Sequence, residues 1–273
     1  MSEAVHQFYL DREGQPELIP FGISAVDAVI GGLGPRSCAI FAGVTGVGKS
    51  STALHAMINS PCPVGMVSVE DGPDLIGTRL LSALTGIDSL RIRRKDVTKN
   101  ELKRLQDVSK SNIGEKMFFS YPIAGTLDDV QKSVEALTKA GCKMIWLDYL
   151  QKVRGHNGDR RNEVSETFTT FQRACAQGKA AGIAVSQFRR LSETEKIPQI
   201  HHLKESGDLE IEARVIILAH RVTDESGKSR LRFRIAKSNY GGEGTSWDMA
   251  RNEAGILQEV TFAESNADDG VTW

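Results

Sequence analysis

The 273-residue chain has no excess of either charge: 34 Lys and Arg stand against 35 Asp and Glu, a net charge of −1. Its overall field therefore draws it neither to nucleic acid nor to a membrane surface, and an anionic partner would have to be met by local basic loops. Cysteine is sparse, with four residues (Cys38, Cys62, Cys142, Cys175) that form no C-x-x-C pair and no metal-ligand spacing. That pattern fits reduced, buried thiols in a cytoplasmic protein. No apolar run approaches the ~20 residues that cross a bilayer, so no membrane partner is expected. The opening MSEAVHQFYLDREG lacks the apolar core of a signal peptide. Internal repeats and low-complexity segments are missing too, which removes solenoid and linker-like readings.

What is present is ordinary globular material, 40% hydrophobic and 25% charged. The length suits one large α/β domain with a short arm. Residues 1–19 read as an N-terminal arm or linker, 20–262 as the folded domain and 263–273 as a flexible tail. Within the domain, apolar runs alternate with helical periodicity, as in a mainly parallel sheet wrapped by helices. Ser37–Ala42 and Val64–Val69 read as strands around a helix from about Lys49 to Asn59. Leu75–Leu84 reads as a helix stopped by Gly86. Thr126-Leu-Asp-Asp129 resembles a capping box with Asp where Glu or Gln is usual, and Gly141 ends that helix. Lys143–Asp148 is an apolar run closed by a carboxylate. The spacing predicts an amphipathic helix from about Glu163 to Ala181, burying Val164, Phe168, Phe171 and Cys175, with Gly182 as its stop. Ile183–Gln187 and Val215–Ala219 read as further buried strands. Arg230–Lys237 alternates charged and apolar residues, one face wet and one packed.

One motif carries chemistry directly. Gly43-Val44-Thr45-Gly46-Val47-Gly48-Lys49-Ser50 matches G-x-x-x-x-G-K-[ST], with Ser51 following. Its glycines let backbone N–H groups wrap a phosphate chain, Lys49 places a cation on the β/γ oxygens, and Ser50 offers a hydroxyl to Mg²⁺. The helix that begins there adds a favourable dipole end. Two carboxylates stand where such a site needs them. Asp148 closes an apolar strand and can orient the metal; Glu70 follows the next strand and can activate an attacking water.

From about Ile19 to Ile256 the chain resembles the ATPase domain of the DnaB family of replicative helicases. Ile19–Asp27 and Gly31–Leu33 resemble that family's lead-in to its first strand. Ser68-Val-Glu70 resembles its S-L-E, which carries the catalytic glutamate, and Asp148-Tyr-Leu-Gln151 its D-Y-L-Q. Asn162–Glu166 resembles the start of the next helix. Ser186-Gln187 resembles its sensor, where the glutamine reads the γ-phosphate state. Leu203-Lys204-Glu205-Ser206-Gly207 resembles L-R-E-S-G, which holds single-stranded DNA in a hexamer's channel. Ala236–Gly241 resembles A-K-N-R-N-G, which reaches the neighbouring subunit's ATP site and here supplies Lys237. Arg221 resembles the arginine that stacks on the adenine. The resemblance thus implies a RecA-like P-loop ATPase core, with ATP and Mg²⁺ as cofactors. It implies single-stranded DNA and a homo-oligomer, six-membered in the family, as partners, with a primase or helicase loader as a further one.

Two departures stand out. Asn239 occupies the position of the family's arginine finger, a residue that can be worth ~10³-fold or more in rate; asparagine donates hydrogen bonds but no charge. Lys237, Arg232 or Arg234 would then have to substitute, or hydrolysis would be slow. The family's large helical N-terminal domain also has no counterpart in about 20 residues.

DNA contact is expected from two loops that follow strand C-termini, the edge where α/β sheets bind ligands. One carries Lys152, Arg154, His156, Arg160 and Arg161; the other carries Phe188, Arg189, Arg190 and Lys196 and leads to Lys204, Glu205 and Gly207. Such contacts are sequence-blind and salt-sensitive. The leading expectation is an ATP-driven helicase or translocase on single-stranded DNA. The alternatives are a RecA-like recombination ATPase and an ATP-gated assembly or loading factor with weak hydrolysis.

Overall fold

A computed structural model describes residues 18–155, 160–188, 197–203, 207–223, 227, 229–252 and 256–260. Its centre is a nine-stranded sheet: β1 (Cys38–Gly43), β2 (Val64–Ser68), β3 (Met117–Ser120), β4 (Met144–Asp148), β5 (Ala181–Gln187), β6 (Val215–Thr223), β7 (Ser229–Ser238), β8 (Ser246–Arg251) and β9 (Leu257–Glu259). The spatial order is β3-β2-β4-β5-β1-β6-β7-β8-β9. The first six of these positions pair in parallel, and β7, β8 and β9 extend the sheet in antiparallel fashion. Every residue of β1, β2 and β4 is buried, as expected of strands covered on both faces.

Those two faces make two cores. Along β1, Ala39 and Phe41 enter one, whereas Cys38, Ile40 and Ala42 enter the other, following the period of two of a strand. The first core lies under α1 (Ser24–Ile30), α2 (Lys49–Asn59) and α3 (Pro73–Thr85). Phe41 meets Trp146 edge-on at 6.1 Å and stacks with Phe233 at 5.7 Å. Each such large side chain, fully buried, stabilises the fold by about 1.5–3 kcal/mol. Two short helices, α4 (Ser89–Arg94) and α5 (Lys99–Ser109), follow α3. The second core lies under α6 (Leu127–Lys139) and α7 (Arg160–Gln177). Among the described residues no helix is long and apolar enough to cross a membrane. All four cysteines are free, and Cys38, Cys142 and Cys175 are buried.

The helix ends show where local chemistry decides. α6 begins with the expected box: Thr126 Oγ1 accepts from Asp129 N, and Asp129 Oδ2 accepts from Thr126 N at 3.0 Å. α3 starts at Pro73 and stops on Gly86, which is left-handed at φ 75°. α7 differs from the sequence reading at both ends. It opens at Arg160 and stops at Gln177, and the chain turns through Gly178 and the left-handed Lys179. Gly182 does not stop the helix; it lies inside β5, where an added Cβ would stand 2.7 Å from both Cys38 Sγ and Phe171. The glycine there permits a close approach between strand and helix. α1 has no side-chain cap of its own at Ile23. Glu259, on β9, accepts instead from Ser24 N and Ala25 N at 2.9 and 3.2 Å.

Candidate nucleotide site

β1 delivers Gly43 to the sheet edge where the parallel strands end, and the chain loops from Val44 to Gly48 before α2 begins at Lys49. Gly43 is cramped: an added Cβ would lie 2.7 Å from Val47 Cγ1 and 3.0 Å from Ala219 O. Gly46 and Gly48 take φ of 79° and 103°, values that favour glycine. No side chain caps the start of α2, so its first N–H groups face an anion-binding position. Lys49 is buried, and its Nζ donates to the carbonyls of Gly43 and Val44, each at 3.0 Å. Burial pulls the Lys49 pKa below its ordinary value, against the attraction of Asp148 and Glu70.

Asp148 ends β4 with 2% exposure. Burial pushes its carboxyl up to about 6, and a hydrogen bond from the Ser50 side chain opposes the rise. β2 stops at Ser68, so Glu70 stands two residues past the strand, exposed, with Oε1 3.9 Å from Lys152 Nζ. Gln187 closes β5 directly beside Gly43. Its backbone N–H is held by Gln151 Oε1 at 3.1 Å, and Gln151 Nε2 donates to Ser186 Oγ at 2.9 Å. The glutamine of the D-Y-L-Q segment thus seats the end of the neighbouring strand.

These residues meet in one cleft of about 760 Å³, lined by Thr45, Gly46, Gly48, Lys49, Ser50, Ser51, Glu70, Asp148 and Gln187 among others. Gly43, Val44 and Val47 belong to the loop without lining the cleft; Val47 packs into the first core. Arg221 lies on the loop's flank, exposed, with Nη2 3.5 Å from Gly46 O and Nη1 3.4 Å from Ser229 Oγ. Lining residues that were not read from the sequence include Asp71, Arg79 and Arg251. Arg79 pairs with Asp71. Asp71 adjoins Glu70 and was legible as a second acid; Arg251 ends a strand that no pattern announced.

Asp148 and Ser50 offer hard oxygen donors side by side, which fit Mg²⁺. Among the described residues there is no cluster of three His, Cys, Asp or Glu.

The residues expected elsewhere are less concentrated. Arg154 is exposed and bridges Thr126 through its backbone. Arg160 and Arg161 open α7 and are not part of the loop before it. Phe188 bridges Leu203, closing the base of the second loop, and Gly207 opens α8 (Gly207–Glu212). His156, Arg189, Arg190, Lys196, Lys204 and Glu205 lie outside the described residues. Lys237 pairs with Ile216 toward the opposite edge of the sheet, and its Nζ donates to the carbonyls of Glu210 and Ile211. Asn239 N donates to Arg214 O at 2.9 Å, and Tyr240 meets Ser37 at the start of β1. This turn therefore lies away from its own chain's cleft. Arg232, offered as a substitute for the finger, forms a two-pronged pair with the buried Asp248 at 2.8 and 3.0 Å. Arg234 donates to Gln199 Oε1 at 2.9 Å.

A P-loop, a strand-end aspartate, a glutamate just past the next strand and a strand-end glutamine on one sheet edge define a P-loop nucleotide-binding domain. Residues 19–259 match the family of the DnaB-like helicase C terminal domain, and the chain belongs to that family. It is 28% identical over 219 residues to the replicative DNA helicase DnaB of Leifsonia xyli, covering 77% of this chain and 48% of that one. It is 25% identical over 210 residues to a probable plasmid replicative DNA helicase of Chlamydia trachomatis, covering 74% and 46%. The chain thus spans about half the length of the curated relatives it matches. In fold it is similar to a solved structure described as an ATPase domain, with a TM-score of 0.82 at 22% identity over 95% of this chain and 98% of that one. It is also similar to a DnaB-like replicative helicase described with its primase interactions, with a TM-score of 0.81 at 22% identity over 96% and 67%.

Proposed function

We propose that this chain is the ATP-driven motor of a DNA helicase or translocase that encircles single-stranded DNA as a ring of identical subunits, six by family resemblance. The observation that carries this reading is the meeting of Lys49, Ser50, Glu70, Asp148 and Gln187 in one cleft at the end of the parallel strands. Family membership gives the same direction.

ATP binds with its phosphates over the loop from Gly43 to Ser51, and Lys49 exchanges the carbonyls of Gly43 and Val44 for phosphate oxygens. Ser50 and Asp148 would hold Mg²⁺, which would supply charge neutralisation for the phosphates. Glu70 takes the proton of the water that attacks the γ-phosphorus, oriented by Lys152. Gln187 stands between the γ-phosphate and the segment that leads to Lys204, so nucleotide state is passed to the DNA-holding loops. Arg221 packs on the adenine. Lys237 and Asn239 serve a neighbour's site, in keeping with their place away from their own chain's cleft. The basic residues Arg154, Arg160, Arg161, Arg189, Arg190 and Lys204, with Glu205 and Gly207, hold the DNA backbone. A primase is a fitting partner, since one structural relative is described with its primase interactions; a helicase loader is another. The four free thiols suit the cytoplasm.

The test is an ATPase assay with and without single-stranded DNA, run beside Lys49→Ala. Strong stimulation by DNA and loss of turnover in the variant are expected; a variant that hydrolyses ATP normally sinks the assigned site. Asn239 at the finger position favours a second reading, an ATP-gated assembly factor, which would bind ATP and scarcely turn it over whether or not DNA is present. Particle images with ATP separate closed rings from the filaments of a recombination ATPase.

A further inference from the structure

Arg251 stands in the cleft without a role in the mechanism above. It ends β8, where it pairs with Leu257 of β9. The antiparallel strands back directly onto the phosphate loop at this point. From the position of a Cβ added to Gly48, Arg251 Nη2 is 2.9 Å away, Leu231 Cδ1 3.2 Å and Leu257 Cδ1 3.9 Å. The guanidinium therefore lies on the backbone that opens α2, the helix end whose N–H groups await an anion. It lines the same cleft as Lys49, Ser50 and Ser51. Burial, together with repulsion from Arg221 and Arg79, holds its pKa below the ordinary arginine value. A polyphosphate seated on the first N–H groups of α2 lies within reach of this guanidinium, whose planar fork matches phosphate oxygens.

We infer that Arg251 is a nucleotide-binding residue of this chain, its guanidinium donating to the polyphosphate of the bound nucleotide and not to its base. The inference rests on the nucleotide site proposed above. Placement over the first turn of α2 favours the phosphates, because the base side of the loop is the flank where Arg221 meets Gly46.

The test is equilibrium binding of fluorescent ATP and GTP analogues to the wild type, Arg251→Gln, Arg251→Lys and Lys49→Ala. Arg251→Gln is expected to weaken both nucleotides by the same factor, about ten- to a hundredfold. Arg251→Lys should recover part of the loss. Unchanged affinity in Arg251→Gln, or a loss confined to one base, overturns the role. If the Gln variant does not fold, Arg251→Lys decides: weaker binding of both nucleotides supports the contact, and wild-type affinity overturns it. A wild type that binds neither nucleotide, or Lys49→Ala that binds as wild type, sinks the site itself. Impaired Lys49→Ala beside normal Arg251→Gln overturns Arg251 alone.

Discussion

The side-chain amide of Gln151 spans the gap to the next strand, accepting from the backbone N–H of Gln187 at 3.1 Å and donating to Ser186 Oγ at 2.9 Å. It is nearly buried, so water cannot replace it. Replacing Gln151 by Leu leaves both groups unsatisfied and should cost about 1–3 kcal/mol. Turnover should fall further than stability explains, because Gln187 loses its anchor. Urea unfolding and steady-state kinetics on Gln151→Leu check this, and a variant with wild-type stability and rate would refute it.

Arg232 and Asp248 tie β7 to β8, with Asp248 only 2% exposed. Removing one partner strands a buried charge, so Arg232→Met should lose about 3–5 kcal/mol. Removing both, in Arg232→Met with Asp248→Leu, should restore most of it. Chemical denaturation of the single and double variants measures the difference. Equal loss in both would mean that the pair is not the cause.

Asp148 gives a pH dependence with a definite sign. Its carboxyl is raised to about 6 in the fold from an ordinary 3.8, so the folded chain keeps a proton that the unfolded chain releases. The group's favourable contribution is complete below about pH 4 and is lost as pH rises through about 6. Without nucleotide and with metal chelated, Asp148→Asn should be more stable than wild type at pH 8, by up to about 3 kcal/mol. The gap should close as pH falls toward 4. Thermal melts across that range test it; a gap that does not vary with pH would count against it.

Asn239 lies on the turn after β7, away from its own chain's cleft. Asn239→Arg is expected to leave DNA-stimulated turnover equal or to raise it, since a guanidinium adds charge that the neighbour's transition state can use. A fall in kcat with nucleotide affinity and ring assembly intact would show that Asn239 is not at a finger position.

Strong local signals were legible in the sequence. α2 runs over Lys49–Asn59, where the sequence reading placed a helix after the Gly-rich turn, and the Thr126–Asp129 box starts α6. The P-loop, Glu70 and Asp148 were read from residue order and Gln187 from the family resemblance, and Lys49, Ser50, Glu70, Asp148 and Gln187 line one cleft. What escaped lacked a local signal or was set by partners far along the chain. β3 and β9 are short, four and three residues, too brief for alternation to show. α1 is finished by Glu259, which no nearby residue foretells. α5 is the exception: Thr98 and Glu101 form a capping box that was open to reading. Gly182 misled because a glycine after a helical run resembles a stop, whereas its need arises from Cys38 and Phe171 across the core. Arg251 depends on strand pairing that sequence spacing does not reveal.

The carboxylate of Glu259 at the head of α1 has a consequence for the order of assembly during synthesis. α1 leaves the ribosome long before the residue that completes its amino end, so it waits, incompletely bonded, until the chain 235 residues further on has followed. Nascent chains arrested before residue 259 should therefore expose α1 to proteases, and release of β9 should close that vulnerability in one step.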